Sequence, residues 1–173
     1  MALPLVLKEI PNLKYLIVGK GPEETRLKSI VQQLGIQEHV VFAGHVEHNV
    51  LPQYYCLCDV FIMPSCVSGE NFESFGIVFT EAGACAKPVI GSKTGGISDA
   101  VVDGVTGLLV EPYNTEEIAQ ALISLLTNEQ LVLTLGKNGR VRVENELTWQ
   151  VMGDRIVALL QNLKSSIKDV HHA

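Results

Sequence analysis

Short apolar runs alternate with longer amphipathic stretches along this chain, and glycine or proline marks nearly every change. Leu13–Val18 (LKYLIV) is an apolar run that stops at Gly19-Lys20-Gly21-Pro22, which predicts a buried parallel strand. In Glu23–Leu34 the residues Leu27, Ile30, Val31 and Leu34 fall at helical spacing, and Gly35 ends the helix. Val40–Phe42, closed by Gly44, is a second strand, Asn49–Cys58 a short helix, and Val60–Met63, ended by Pro64-Ser65, a third strand. A polar loop over Cys66–Ser74 leads into a helix over Gly76–Cys85, and Pro88–Gly91 is the fourth strand. Turns at Gly95-Gly96 and Gly104–Gly107 bracket a short helix near Ile97–Val102, and Leu108–Val110 is the fifth strand. Three helices without strands follow. The first is capped by Asn114, with Glu117 three residues on and Ile118, Leu122, Leu125 and Leu126 inward; the others cover Gln130–Glu144 and Thr148–Ile167.

Strands separated by helices imply parallel pairing, so the expected fold is α/β, a doubly wound, Rossmann-like parallel sheet whose last third is a helical cover. Residues 1–147 are expected to form the α/β domain and 148–173 a C-terminal helix and tail. Tyr54 and Tyr55 are expected to pack a helix against the sheet, Trp149 to anchor the last helix, and Asp103-Gly104 to make a turn.

Composition narrows the class. The chain has 173 residues, 47% apolar and 18% charged, which suits one globular domain. Its 13 Lys+Arg against 19 Asp+Glu leave a net charge of −6, which argues against a nucleic-acid partner. No apolar run has the length of a membrane span, and Met1–Leu7 lacks the basic start and cleavage site of a signal peptide. Cys56, Cys58, Cys66 and Cys85 contain no C-x-x-C pair and sit in apolar settings, so reduced, partly buried thiols of a cytoplasmic protein are expected. His45, His48 and Cys56 have no zinc-type spacing, and no metal is expected.

The chemistry concentrates in Pro64–Gly83, PSCVSGENFESFGIVFTEAG, where a strand ends, a loop runs out and a helix begins near Gly76. In open α/β sheets ligands sit beyond the strand carboxyl ends, and a helix starting there points free amides and a partial positive charge at the crevice. Gly76 would let a ligand approach the backbone. Glu73 precedes the helix and Glu81 lies within it, eight positions on. Two carboxylates beside a phosphate would repel it, but an ionised carboxylate accepts well from vicinal hydroxyls. Amides for a diphosphate and glutamates for two sugar rings describe a sugar nucleotide. Glutamate spacing alone also fits a solvated loop glutamate and a salt-bridged helical one.

This segment resembles the signature of glycosyltransferase family 4, whose fold is GT-B. The matching positions are Pro64-Ser65, Glu73-Ser74-Phe75-Gly76-Ile77-Val78, Glu81-Ala82, Pro88-Val89-Ile90, Gly95-Gly96 and Asp103-Gly104-Val105-Thr106-Gly107-Leu108-Leu109-Val110. Leu16–Pro22 and Val41–Gly44 match upstream, and the resemblance runs from about Pro11 to Leu163. It implies the C-terminal, donor-binding domain of a retaining enzyme that moves a sugar from a nucleotide diphosphate to a hydroxyl of a glycan or lipid-linked acceptor, usually with no bound metal or other cofactor. It implies that Glu73 lies near the donor sugar and its leaving phosphate as the catalytic candidate, and that Glu81 bonds the ribose hydroxyls. Ser74 and the amides of Phe75, Gly76 and Ile77 would surround the sugar and diphosphate, and the Gly44–Val46 loop would lie near the base. Asp99 stands where the family often has glutamate. The implied partners are a nucleotide-sugar donor and an N-terminal acceptor domain, and the implied location is cytoplasmic, including the cytosolic face of a membrane reached through that domain.

Two expectations concern what the sequence lacks. The family's second domain opens with a strand carrying Arg, followed by Lys, which neutralise the donor diphosphate; MALPLVLKEIPNLKYLIVG instead resembles the tail of the first helix. Little or no transfer by this chain alone is therefore expected, and the alternative reading is a donor-binding module without activity of its own. The absent strand would sit mid-sheet, with Met1–Leu7 or another chain filling its place. Gly19-Lys20-Gly21 is half of a dinucleotide fingerprint and is expected to be a tight turn, with Lys20 a candidate phosphate contact. Gly95-Gly96 fits either ligand access or a plain turn. A flavodoxin-like regulator would need an acidic pocket at strand ends, whereas Asp59 precedes its strand.

Overall fold

A computed structural model describes residues 2–66 and 73–170, with the backbone alone for 164–170. The chain runs α1 (Leu3–Glu9), β1 (Tyr15–Val18), α2 (Glu24–Gln33), a 3-10 turn (Gln37–His39), β2 (Val40–Gly44), α3 (Leu51–Leu57), β3 (Phe61–Met63), α4 (Ile77–Ala84), β4 (Val89–Ser92) and α5 (Ile97–Ala100). β5 (Gly107–Val110), α6 (Thr115–Leu126), α7 (Glu129–Glu146) and α8 (Trp149–Val170) complete it. Every strand pairing is parallel, as the alternation of strands and helices requires.

The strands form two sheets rather than one: β1 pairs with β2, and β3, β4 and β5 lie in that order. Among the described residues β1 and β3 are not bonded to each other, so the sheet is open where an additional strand was expected. Of Met1–Leu7, the described residues from Ala2 do not fill that place. Residues from Leu3 form α1, because Pro4 suits a first helical turn and cannot donate to a strand ladder. Ala2 and Val6 fall on one helical face and pack against Ala119 of α6. The strand expected from Leu13 starts at Tyr15, since the Leu13 amide closes a turn on the Ile10 carbonyl at 3.1 Å.

β4 is buried along its whole length, with core on both faces. Val89 joins Tyr55, Phe79, Ala82, Ile97 and Val101 on one side. Ile90 joins Val110, Ala121, Leu125 and Leu135 on the other. Asn114 caps α6 as expected: its Oδ1 accepts the Glu117 amide at 3.1 Å, and its Nδ2 donates to Glu117 Oε2 at 3.2 Å.

α7 locks α4, the helix that carries the candidate Glu81. Gly139 and Gly83 let α7 approach α4 closely, an ideal Cβ on Gly139 standing 3.6 Å from the Gly83 Cα. Arg140 Nη1 donates to the Ala84 carbonyl at the end of α4. Arg142 donates to the Ala100 and Asp99 carbonyls at 2.6 Å each, satisfying the C-terminal end of α5.

Trp149 does not anchor α8: it is 86% exposed, and Met152, Ile156, Leu159, Leu160 and Leu163 are exposed beside it. An aromatic residue buries only where a facing surface exists, and α8 has little beyond the end of α7 to lie on. No single helix among the described residues is long and apolar enough to cross a membrane.

Candidate functional site

The site grows from the carboxyl ends of β3 and β4. After β3 the Ser65 carbonyl accepts from the buried Ser92 hydroxyl and, at 3.2 Å, from Thr94 Oγ1. Both donors lie at or just after the end of β4, so the start of the loop is tied to the neighbouring strand. Of the polar loop, residues 67–72 lie outside the described residues.

The chain is described again from Glu73, whose carbonyl accepts the Gly96 amide at 3.0 Å. Gly95 and Gly96 lie flush against this segment. A Cβ on Gly95 would overlap the Glu73 carbonyl oxygen, and one on Gly96 would overlap that of Ser74. The glycine pair is therefore a seat for the Glu73–Ser74 backbone, a role neither access nor turning describes.

Gly76 then turns the chain into α4 with φ +78°, and an added Cβ would meet Phe79 Cδ2 at 2.6 Å. Among the described residues no backbone carbonyl accepts from the amides of Gly76, Ile77 or Val78, while Phe79 N bonds to the Gly76 carbonyl at 2.9 Å. Ser74 and Ile77 are exposed and Glu73 and Phe75 half-buried, so this helix start opens to solvent with its positive end free.

Glu81 sits further along α4, half-buried. It is not the salt-bridged surface glutamate that spacing also allowed: among the described residues no lysine or arginine pairs with it. Its Oε2 instead accepts the Tyr55 hydroxyl at 2.7 Å. The Tyr55 ring is buried as expected, edge-on to Phe61 at 5.5 Å, and Phe61 is edge-on to Phe79 at 5.7 Å. Burial first, and then the Glu81 carboxylate, push the Tyr55 hydroxyl well above the usual tyrosine range, so it remains a donor. Sequence reasoning left Tyr55 in a packing role, because only the fold brings α3 against α4 and its hydroxyl to Glu81.

At the ends of β1 and β2, Gly19 and Gly44 are joined by the Gly19 amide on the Gly44 carbonyl at 2.7 Å. The chain bends at Gly19, φ +121°, and the turn itself closes one step later than expected, where the Glu24 amide bonds to the Gly21 carbonyl at 3.2 Å. Lys20 runs beside Gly44 and is exposed. Gly44 and Val46 are half-buried, and His45 lies 3.4 Å from Glu47 on the surface. Asp103 accepts the Leu109 amide at 2.8 Å, a turn as expected. Asp99 offers only its carbonyl, to Arg142. Cys58 and Cys85 are partly buried, but Cys56 and Cys66 are exposed, contrary to expectation, because α3 turns Cys56 outward and Cys66 begins a loop. Among the described residues no group of three His, Cys, Asp or Glu is arranged to hold a metal ion.

A parallel α/β fold with an open helix start beyond the strand ends, and a half-buried carboxylate on that helix, is the Rossmann-like architecture of one half of the GT-B fold. The chain belongs to the glycosyl transferases group 1 family, whose profile matches residues 1–142. It is 33% identical over 167 residues to the GDP-mannose-dependent alpha-(1-6)-phosphatidylinositol monomannoside mannosyltransferase of Mycolicibacterium smegmatis, covering 95% of this chain and 44% of that protein. Anabaena Alr3699/HepE in complex with UDP-glucose superposes with a TM-score of 0.80 at 26% identity, over 93% of this chain and 44% of that one. The C-terminal domain of the glycosyl transferase group 1 protein LpcC from Francisella tularensis superposes with a TM-score of 0.75 at 27% identity, over 86% of this chain and 76% of that one. The chain thus spans less than half the length of the mannosyltransferase it matches.

Proposed function

We propose that this chain is the donor-binding domain of a retaining glycosyltransferase that uses a nucleotide diphosphate sugar. The observation that carries the reading is the junction at Glu73–Ile77. Its backbone is seated on Gly95-Gly96, its αL glycine starts α4, and Glu81 follows on the same helix with one carboxylate oxygen engaged and no cation beside it.

In this reading the amides of Phe75, Gly76 and Ile77 hold the diphosphate and stabilise the charge that develops as it leaves. Ser74 lies at the sugar side of this cradle. Glu81 accepts from the ribose hydroxyls. Glu73 faces the donor sugar near the bond that breaks and is the catalytic candidate. The Gly44–Val46 loop lies near the base, and Lys20 adds a cation at the same end of the sheets. No metal takes part. The acceptor, a glycan or lipid-linked hydroxyl, belongs to an N-terminal domain of the same enzyme, which works on the cytosolic side and touches the membrane through that domain. The phosphatidylinositol acceptor named for the Mycolicibacterium relative supports the lipid-linked class.

A second reading is favoured by the 44% span of that relative: the 173 residues hold donor without turning it over. Titration calorimetry with UDP-, GDP- and ADP-sugars, with and without EDTA, tests the first reading. One nucleotide should bind, and EDTA should not change its affinity. Absence of binding by all three would overturn it. A hydrolysis and transfer assay separates the second reading, since turnover by the 173-residue chain would exclude it.

A further inference from the structure

Tyr55 carries a hydroxyl that packing alone does not require. Its ring is buried and fills the space between α3, Phe61 and the core around Phe79, work a phenylalanine would do equally well. A buried hydroxyl without a partner is costly, and the partner this one finds is Glu81 Oε2, at 2.7 Å. From the other side, Glu81 is half-buried with no ion pair among the described residues, and Tyr55 is the side chain that orients it. A free glutamate has three rotatable bonds, and a hydrogen bond from a rigid, buried ring removes most of that freedom. It also leaves Oε1 as the free acceptor.

We propose that Tyr55 is a positioning residue for nucleotide recognition: by donating to Glu81 Oε2 it sets the Glu81 carboxylate in the orientation that accepts the two ribose hydroxyls. The inference rests on the donor-binding reading of Glu81 above. Tyr55 does not touch the ligand and acts through Glu81 alone. Because its hydroxyl stays protonated far into the alkaline range, the orientation is maintained throughout neutral pH.

The test is calorimetric titration of the 173-residue chain and its Tyr55→Phe variant with UDP, GDP and their 2′,3′-dideoxy analogues. Tyr55→Phe keeps the ring and should weaken binding of the preferred ribonucleotide by about tenfold, the effect of having to order a Glu81 side chain that is no longer held in place. Against the dideoxy analogue, which offers Glu81 no hydroxyl, parent and variant should bind alike. Equal loss against both ligands means the core has shifted and overturns the proposal, as does no loss against either. If the parent binds none of UDP, GDP and ADP nor their sugars, the donor-binding reading itself falls and takes this inference with it.

Discussion

Replacing Gly96 by alanine probes the junction most directly. The new methyl would stand inside the van der Waals shell of the Ser74 carbonyl oxygen, and that oxygen is backbone, so the Glu73–Ser74 segment must retreat by about 1 Å. The Gly96 amide would then lose its 3.0 Å bond to the Glu73 carbonyl, worth about 1 kcal/mol. Overpacking adds about 1 kcal/mol more, so the destabilisation is about 2 kcal/mol and the melting temperature falls by about 6 °C for a chain of this size. Displacing a positioned backbone by about 1 Å costs up to about a hundredfold in a reaction that depends on it, and about tenfold in donor affinity is expected. Thermal denaturation and calorimetric titration of the same samples read both effects. Gly153→Ala is the control, since a Cβ there meets nothing within 4 Å and α8 should gain about 0.5 kcal/mol in helix propensity. If Gly96→Ala melts and binds like the parent, the loop does not rest on the glycine pair and the carrying observation is wrong.

Glu81→Ala should abolish detectable donor binding in calorimetry while lowering the melting temperature by only a few degrees. That small loss is expected because the Tyr55 hydroxyl is left unpaired, at about 1 kcal/mol. Collapse of the fold with donor affinity intact would disprove the ribose role. Arg142→Ala removes two charge-assisted bonds to the carbonyls ending α5 and should cost about 2 kcal/mol in urea denaturation, whereas Arg26→Ala, on an exposed helix pair, should cost almost nothing. Burial, with the neighbouring Cys56 thiol adding to it, pushes the Cys85 thiol up to about 11. At about pH 7.5 iodoacetamide should therefore alkylate exposed Cys66 well before Cys85, and the Cys85 rate should keep climbing as the pH rises toward that value, as peptide mass spectrometry would show.

The order of elements was legible because each boundary carries its own chemistry. Gly35, Pro64, Gly76 and Pro112 end or begin elements by backbone constraint, and Asn114 announces α6 by its side chain. The candidate glutamates were legible through the order of short motifs around them. What stayed hidden depends on approach between distant segments. Tyr55 lies 26 positions from Glu81, and nothing in its local sequence separates a hydroxyl with a partner from one facing water. Gly95 and Gly96 signal a turn in any sequence, and only the nearness of Glu73 and Ser74 reveals a seat. Trp149 misled for a related reason: apolar character predicts a wish for burial, and a facing surface is needed to satisfy it. The resemblance of the N-terminal segment to the tail of a helix agrees with α1, whose Pro4 and whose Ala2 and Val6 spacing rule out Leu3–Leu7 as the strand that fills the gap.

The division of the strands into two sheets bears on how this chain behaves at high concentration. Two sheets present four lateral edges where one continuous sheet would present two. Two of these edges belong to β1 and β3, whose residues Leu16, Ile17, Phe61, Ile62 and Met63 are apolar and half-buried, with no charge or proline inside the strand. Natural edges are usually blunted by such residues, and here the charges stand just outside, at Lys14 before β1 and Asp59 before β3. Strands this short limit how far a foreign strand can zip along them. Edge-to-edge association of the isolated chain is thus expected to run through the backbone of β1 and β3, and a charge placed at Ile62 would oppose it at the expense of the core.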